Sequence, residues 1–482
     1  VIAKEPMIAT GQVTASEQVK ATDHVKATEQ RQPATMDQRQ RFEQMLSGPA
    51  YQAYAYSYPH KTAYRPLDEK VSLTALWEQE KRDALFLYVH VPFCRMRCGF
   101  CNLFTLVKPD ASLPDRYLDA LERQITALRS VVDSATFARF AIGGGTPTFL
   151  DERQLERLFT LTDFAGIGAQ TPIGIECSPE TITAEKVKLL AVRGVSRISM
   201  GVQSFTELEV KNLARPQSNQ GVLTAIDTIR QHSAAVLNLD LIYGIAGQTV
   251  ASWLDSLKQA LTYAPEELYL YPLYVRDATG LGKIKQKAKA VTDLGDVDRV
   301  ILYRAGRDYL LSQGYEQVSL RMFRRCDVNT PDMPLYSCQQ DGMLGLGAGA
   351  RSYTQSLHYS SEYAVGRHGV KAIIEHYNEQ THNDFSYAHY GIALNANEQQ
   401  RRFVIQSLLI ADGLSLLGYQ QRFGHDCFTA FPELSLLLEN QLAFIQSGQM
   451  LLTAEGFERA DSIGPWFTSS TVRAAMRDYE LL

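Results

Sequence analysis

The run Tyr88-Val89-His90-Val91-Pro92-Phe93-Cys94-Arg95-Met96-Arg97-Cys98-Gly99-Phe100-Cys101 places three cysteines in a CxxxCxxC spacing directly after an apolar, β-prone segment, Leu85 to Val91. Three thiolates this close can hold three corners of a cubane iron–sulfur cluster, because soft sulfur ligands suit iron. Asn102, Leu103 and Phe104 come next, so no fourth protein ligand follows nearby and one iron is left open for a small molecule. Zinc or inert thiols are the alternatives. A zinc site usually takes a fourth ligand and paired CxxC units, whereas the nearest histidine, His90, lies on the preceding strand and no second CxxC exists. Seven cysteines in 482 residues are not the usage of a disulfide scaffold. The spacing therefore favours a 4Fe–4S cluster on Cys94, Cys98 and Cys101, with Cys177, Cys326, Cys338 and Cys427 dispensable for it.

Outward from this run, short β-rich segments alternate with amphipathic ones. The expected strands are Leu85–Val91, Phe137–Ile142, Ile173–Cys177, Arg197–Val202, Leu237–Ile242 and Leu268–Leu273. Between them lie the helical patterns Leu113–Leu128, Glu152–Phe164, Ala184–Val192, Leu223–Gln231 and Ala251–Leu261. Six βα repeats predict an α/β fold, a parallel sheet curled into a partial (β/α)6 barrel. Ligands gather at the C-terminal ends of such strands. The polar and glycine signals sit there: Cys94 after strand one, Gly143 to Thr148 after strand two, Glu176 at the end of strand three, Gln203 after strand four, and Asp240 within strand five.

The remainder of the chain reads differently. Residues 1–40 are polar and read as a disordered arm, with too little apolar surface to offset the entropy of ordering. Residues 41–84 form an N-terminal segment in which Tyr51, Tyr54, Tyr56, Tyr58, His60, Lys61, Tyr64 and Arg65 crowd together. Flat rings with hydroxyls suit a large planar ligand and the cations suit its carboxylates, so Tyr56, Tyr58, Lys61 and Arg65 are candidate substrate contacts; a simple cover over the barrel mouth is the alternative. The barrel with its C-terminal extension is expected over 85–390, including a glycine-rich turn region at Gly345–Tyr353. A small, mainly helical, winged-helix-like domain is expected over 391–482, with helical periodicity at Phe403, Ile405, Leu408 and Leu409 and again at Leu434–Ile445, and a strand and turn at Leu451–Gly456. The net charge of −5 offers no basic field for nucleic acid. No apolar run reaches the length of a membrane span, and reduced thiols with an oxygen-sensitive cluster predict a cytoplasmic protein.

An open iron in a cysteine-ligated cluster is what the radical S-adenosylmethionine (SAM) enzymes use, and SAM's amino and carboxylate groups can chelate it. Gly143, Gly144 and Gly145 let the backbone approach that ammonium where any Cβ would intrude; alone, the run is equally a tight turn with Thr148 near the next helix start. Arg215 is placed to reach the carboxylate, or else sits on a solvated helix face. Glu176 and Asp240 can accept from the ribose hydroxyls or the ammonium, or cap backbone turns. Phe100 can pack beside the adenine or be plainly buried. The stretches Tyr88–Cys94, Gly143–Thr148, Ser199-Met200-Gly201-Val202-Gln203-Ser204-Phe205 and Asn238-Leu239-Asp240-Leu241-Ile242-Tyr243-Gly244 together resemble the HemN family of radical SAM proteins. That family includes oxygen-independent coproporphyrinogen III oxidase, haem chaperones, and haem-degrading or methylating relatives. By position, the resemblance implies that Tyr88 and Phe100 flank SAM, that Gly144, Gly145 and Thr146 bind its methionyl part, and that Glu176, Gln203, Arg215 and Asp240 complete the site. It also implies reductive cleavage of SAM to a 5′-deoxyadenosyl radical, and an electron donor such as flavodoxin or ferredoxin.

Departures from the family bear on the substrate. The oxidases carry a Cys two residues after the third ligand, where this chain has Leu103. The chaperones carry a His-Asn motif ahead of a Tyr-Trp pair, where this chain has Asp332-Met333-Pro334-Leu335-Tyr336-Ser337-Cys338. The cysteine loop looks closer to the haem-degrading and methyltransferase-like branch. At family level the expected reaction is oxidative decarboxylation of coproporphyrinogen III. Methylation or ring opening with two SAM molecules is the second enzyme reading, and a haem-binding chaperone the reading from another class.

Overall fold

The computed structural model describes residues 32–55, 57–133, 135–163, 167, 171–288, 294–328 and 342–479. Tyr56, Cys338 and the segment 332–338 lie outside them, as do residues 1–31. The main sheet takes, in chain order, β1 (Arg65–Ser72), β2 (Leu85–Val91), β3 (Phe137–Gly144), β4 (Ile173–Cys177) and β5 (Val195–Gln203). It continues with β6 (Val236–Tyr243), β7 (Glu267–Pro272), β8 (Tyr315–Gln317) and β9 (Met322–Arg325). The last four are β10 (Met343–Leu346), β11 (Arg351–Tyr353), β12 (Leu357–Ser360) and β13 (Tyr387–Ala393).

The six expected strands are β2 to β7, adjacent in sequence order and parallel throughout. They are legible because a parallel strand covered on its outer face by helices must present an apolar run. Leu85, Leu87, Val89 and Val91 of β2 are each 0% exposed, while the alternate residues Phe86 and Tyr88 turn to the barrel interior. Helices Leu113–Ala127, Glu152–Thr162, Ala184–Val192, Asn219–His232 and Val250–Leu261 cover the outside. Each of the last four begins at a side-chain cap: Asp151, Thr183, Ser218 and Thr249 accept from N–H groups of the first turn.

The barrel is a part of something wider, a 13-stranded sheet ordered β1-β13-β12-β11-β10-β2-β3-β4-β5-β6-β7-β9-β8. The glycine-rich stretch Gly345–Tyr353 is therefore not only a turn. Its first residues belong to β10, which pairs parallel with β2, and the chain returns as β11. Gly345 is required there because a Cβ would strike the Arg351 carbonyl.

Two other expectations change. The polar arm does not run featureless to residue 40: helix Met36–Ser47 starts on a Thr35–Gln38 capping box and buries Phe42 and Met45. In the C-terminal region, the run Leu434–Ile445 is helical only over Ser435–Glu439 and then turns into strand Ala443–Gln446. With helix Ala396–Leu408 and strands Leu414–Ser415 and Gln449–Leu452 this makes the winged-helix-like arrangement. Its apolar core is distinct from the barrel's and takes in Phe42, Met45, Tyr58 and Ala63 from the N-terminal segment. A buried ion pair ties it to the barrel: Arg321, just before β9, meets Asp461, their side chains 2% and 4% exposed, and Tyr274 donates to the same carboxylate at 2.7 Å. Among the described residues no helix is long and apolar enough to cross a membrane.

Candidate active site

Pro92 carries the chain out of β2 and the cysteine loop follows at its C-terminal end. Cys94 is buried, its Sγ accepting from Thr105 Oγ1 at 3.0 Å and standing 3.4 Å from Thr146 Oγ1. The Cys101 N–H donates to the Cys98 carbonyl at 3.1 Å. Gly99 between them is clamped from two sides: its N–H donates to Leu213 O at 3.0 Å and its carbonyl accepts from Leu281 N–H at 2.8 Å. A Cβ at Gly99 would come within 2.8 Å of Ala214 Cβ and 2.9 Å of Leu281 Cγ, so only glycine fits this clamp.

Arg215 is neither solvated nor on a helix. It is 9% exposed, donating from Nη1 to Cys98 Sγ at 3.0 Å, from Nη2 to Gly201 O at 2.8 Å and from Nε to Gln217 Oε1 at 2.7 Å. The guanidinium expected at the SAM carboxylate thus lies against a cluster ligand. Among the described residues no three His, Cys, Asp or Glu side chains could hold a single metal ion, whereas cluster thiolates each take a different iron and stand further apart. Burial raises the Cys94 thiol and pushes Cys101 up to about 11, so cluster binding must displace protons that these thiols otherwise keep. Three free cysteines on one clamped loop, with hydroxyl and guanidinium donors already aimed at two of the sulfurs, fit a 4Fe–4S cluster.

The other expected SAM residues converge beside that loop. Gly144 has φ +123°, and a Cβ on it would meet the His90 ring at 2.8 Å. A Cβ on Gly145 would meet Phe93 O at 2.7 Å, Thr105 Oγ1 at 2.8 Å and Cys94 Sγ at 3.0 Å. Glycines here let β3 pass directly behind the cysteine loop. Glu176 points into the barrel and accepts from the Gly144 N–H at 3.1 Å; desolvation outweighs that bond and pushes its carboxyl up to about 7. Asp240 lies two strands along, on β6, held by Asn238 Nδ2 at 2.7 Å, and burial lifts it to about 6 against that bond and the nearby Arg197 and Arg215. Asn238 Oδ1 is buried without a hydrogen-bond partner, an acceptor left over beside Asp240. Gln203 ends β5 with φ +71°, a left-handed conformation that turns the strand at a bulge. Tyr88 sits 3.0 Å from His90 Nδ1 through its hydroxyl, and Phe100 packs with Leu213, Ile242, Ile245 and Tyr271 in a small apolar cluster.

The N-terminal segment crosses the barrel mouth. Tyr58 is 3% exposed; its hydroxyl donates to Glu398 and accepts from the Ser469 N–H at 3.3 Å, so it anchors the segment to the C-terminal region. Arg65 donates to the carbonyls of Thr62 at 2.9 Å, Tyr64 at 2.7 Å and Ala475. Both side chains are held by residues some 340 to 410 positions away in sequence. Lys61 lies over the Tyr363 ring at 3.5 Å. His60, N-cap of the turn Lys61–Ala63, feels Lys61, Arg351 and Arg276 together, and burial with these charges pulls it down to about 3, a neutral imidazole. Tyr54 meets Tyr271 of β7 edge-on at 6.4 Å and Tyr51 meets Tyr243 of β6 at 6.1 Å. Sequence reasoning missed Arg276 and Arg351. Their signal was positional only: one follows β7, the other opens β11, and nothing local marks either.

Residues 88–260, which hold the cysteine loop and most of the parallel strands, match the radical SAM superfamily, so the barrel is a radical SAM domain. Within that class it is HemN-like. It is 28% identical to oxygen-independent coproporphyrinogen III oxidase of Escherichia coli over 382 residues, 74% of this chain and 80% of that protein. It is 25% identical to the haem chaperone HemW of Bacillus subtilis over 77% of this chain and 95% of that one. The structure of coproporphyrinogen III oxidase (HemN) from Escherichia coli superposes with a TM-score of 0.73, covering 86% of this chain and 97% of that one at 24% identity, and shares the fold. A radical SAM domain of this kind implies a 4Fe–4S cluster and SAM.

Proposed function

We propose that the chain cleaves SAM reductively and uses the radical on a tetrapyrrole, in the first reading to decarboxylate coproporphyrinogen III oxidatively. The observation that carries the substrate class is the lining of the mouth: Tyr54 against Tyr271, with His60, Lys61, Arg276 and Arg351 gathered on the same side. Flat phenols suit a macrocycle's faces and the cations its propionates. The names of the relatives that span most of the chain support the reaction.

When bound, the cluster and SAM supply a 5′-deoxyadenosyl radical. The chain's own residues bind, orient and exclude water. Cys94, Cys98 and Cys101 would hold the cluster. Glu176 and Asp240, on β4 and β6 with one strand between them, would take SAM's ammonium and ribose hydroxyls, while Tyr88 and Phe100 flank it. The N-terminal segment over the mouth would keep solvent from a radical that would otherwise abstract hydrogen indiscriminately.

Leu103, 48% exposed where the oxidases carry cysteine, favours a second reading, haem methylation or ring opening, with a second SAM as the methyl source. Anaerobic incubation of reconstituted protein with SAM, reductant and either coproporphyrinogen III or haem separates the outcomes. Carbon dioxide and vinyl products support the first, a methylated or opened ring the second, and haem binding without turnover would make it a chaperone. With the active substrate, Arg276→Gln should raise KM about tenfold and leave substrate-free SAM cleavage unchanged; an unchanged KM would remove the mouth as the substrate site.

A further inference from the structure

Cys101, the third cysteine of the loop, takes a hydrogen bond to its sulfur from the backbone N–H of Leu103. That N–H belongs to the peptide unit whose carbonyl is that of Asn102, and the carbonyl accepts from the hydroxyl of Tyr363. One planar amide thus receives a hydrogen bond at its oxygen and gives one from its nitrogen. A carbonyl that accepts makes the N–H across the same resonant bond a stronger donor, and consecutive hydrogen bonds strengthen one another by about 10–30% each.

Tyr363 is 8% exposed and held on several sides. Its own carbonyl accepts from the Tyr479 hydroxyl at 2.7 Å, with the two rings 6.5 Å apart. Ser361, two residues before it, accepts from the Gly349 N–H at 2.9 Å in the glycine turn after β10. Over its face stands the Lys61 ammonium, 3.5 Å from the ring centroid. A cation so placed is attracted to the ring's electrons and draws them toward itself, which makes the hydroxyl a better donor. Lys61 belongs to the segment over the mouth, and Arg65 of that segment lies over the Tyr479 ring at 5.7 Å. Contacts run without a break from Lys61, through the ring and hydroxyl of Tyr363 and the Asn102–Leu103 peptide, to the sulfur of Cys101.

We infer that Tyr363 is a positioning residue for the cluster: it fixes the Asn102–Leu103 peptide against Cys101 and transmits the charge of Lys61 to that sulfur. The cluster's potential then responds to whatever pairs with Lys61. A substrate carboxylate there offsets the charge over the ring, weakens the donor to Cys101 and lowers the potential, so that the reduced cluster gives up its electron more readily with substrate in place. This consequence rests on the proposed place of Lys61 in the substrate site; the link from Lys61 to Cys101 does not.

The test uses reconstituted holoenzyme, with iron content checked for each variant, and reads the reduction potential in a dye-mediated titration followed by EPR. Tyr363→Phe keeps a ring under Lys61 and removes only the hydroxyl. Poised at the wild-type midpoint, its cluster should be about one-quarter reduced, a threefold loss in the reduction equilibrium, or roughly 28 mV for one electron. Lys61→Met should cause about a twofold loss on its own and less than half that shift in the Tyr363→Phe background. Lys61→Arg, which keeps a cation over the ring, should restore the wild-type potential. Saturating coproporphyrinogen III should lower the wild-type potential and shift Tyr363→Phe by less than half as much. A full cluster with an unshifted potential in Tyr363→Phe overturns the inference. So does a Lys61→Met shift of equal size in both backgrounds, which would make Lys61 a charge acting through space alone, or a substrate-induced shift of full size in Tyr363→Phe. Failure of coproporphyrinogen III to bind would sink the tetrapyrrole reading, while the Lys61 and Tyr363 variants still decide this inference.

Discussion

Replacing Arg215 by glutamine removes a guanidinium that donates to the sulfur of a cluster cysteine, and its effect is best read as a reduction potential. The bond from Nη1 to Cys98 Sγ, at 3.0 Å, is of the charge-assisted kind, worth about 1.5–3 kcal/mol. Reduction makes the cluster sulfurs more electron-rich, so the donor stabilises the reduced form more than the oxidised one. If about half of the bond's worth differs between the two states, the loss is about 0.7–1.5 kcal/mol, or roughly 30–65 mV for one electron. The variant's potential should therefore fall by that amount in a dye-mediated titration followed by EPR. Iron content should stay near wild type, because Thr105 and Thr146 still brace Cys94. Arg215→Lys should fall in between, keeping the charge but not the fork that also holds Gly201 and Gln217. A variant with a full cluster and an unshifted potential would show that the guanidinium leaves Cys98 once the cluster is bound, and would return Arg215 to the SAM carboxylate.

Two further predictions concern affinity and stability. Glu176 and Asp240 are lifted to about 7 and about 6; a raised carboxyl keeps its proton in the empty barrel, so SAM, whose ammonium needs the ionised forms, should bind more tightly as pH rises from about 5.5 to 7.5. By the same sign these two groups favour the empty folded state at low pH and cost it stability as pH passes through 6 and 7. Calorimetric titration across that range checks it, and Glu176→Gln should flatten the profile. Asp461→Ala strands Arg321 as an uncompensated buried charge, which should cost about 3–5 kcal/mol; a thermal or urea midpoint near wild type would mean the pair is open to water.

The barrel was legible because its strands carry their own signal. Leu85–Val91 and Ile173–Cys177 have the bounds read from sequence, and Gly143 to Thr148, Glu176 and Asp240 share one end simply because every strand is parallel. The outer strands carry no such signal. β1, Arg-Pro-Leu-Asp-Glu-Lys-Val-Ser, has proline and charges that suit a sheet edge, and β10 is masked by its glycine. The same division runs through the site. Its SAM half lies on consecutive strand ends, whereas Arg276 and Arg351 meet His60 only through long-range topology. For Tyr58 and Arg65, composition shows what a side chain offers but not that Glu398 and Ala475 hold it in the fold.

The pairing of β1 with β13, Arg65 opposite Gly391, fixes an order of events during synthesis. At about 5–20 residues per second, a ribosome that has just made β1 needs roughly twenty seconds to a minute to deliver its partner. Through that interval the segment ahead of β1 can already pack on β6 and β7 through Tyr51 and Tyr54, while β1 itself waits for β13. The edge of the sheet is thus completed last, after every parallel strand of the barrel has been made, and the sheet's outermost pairing carries the longest wait.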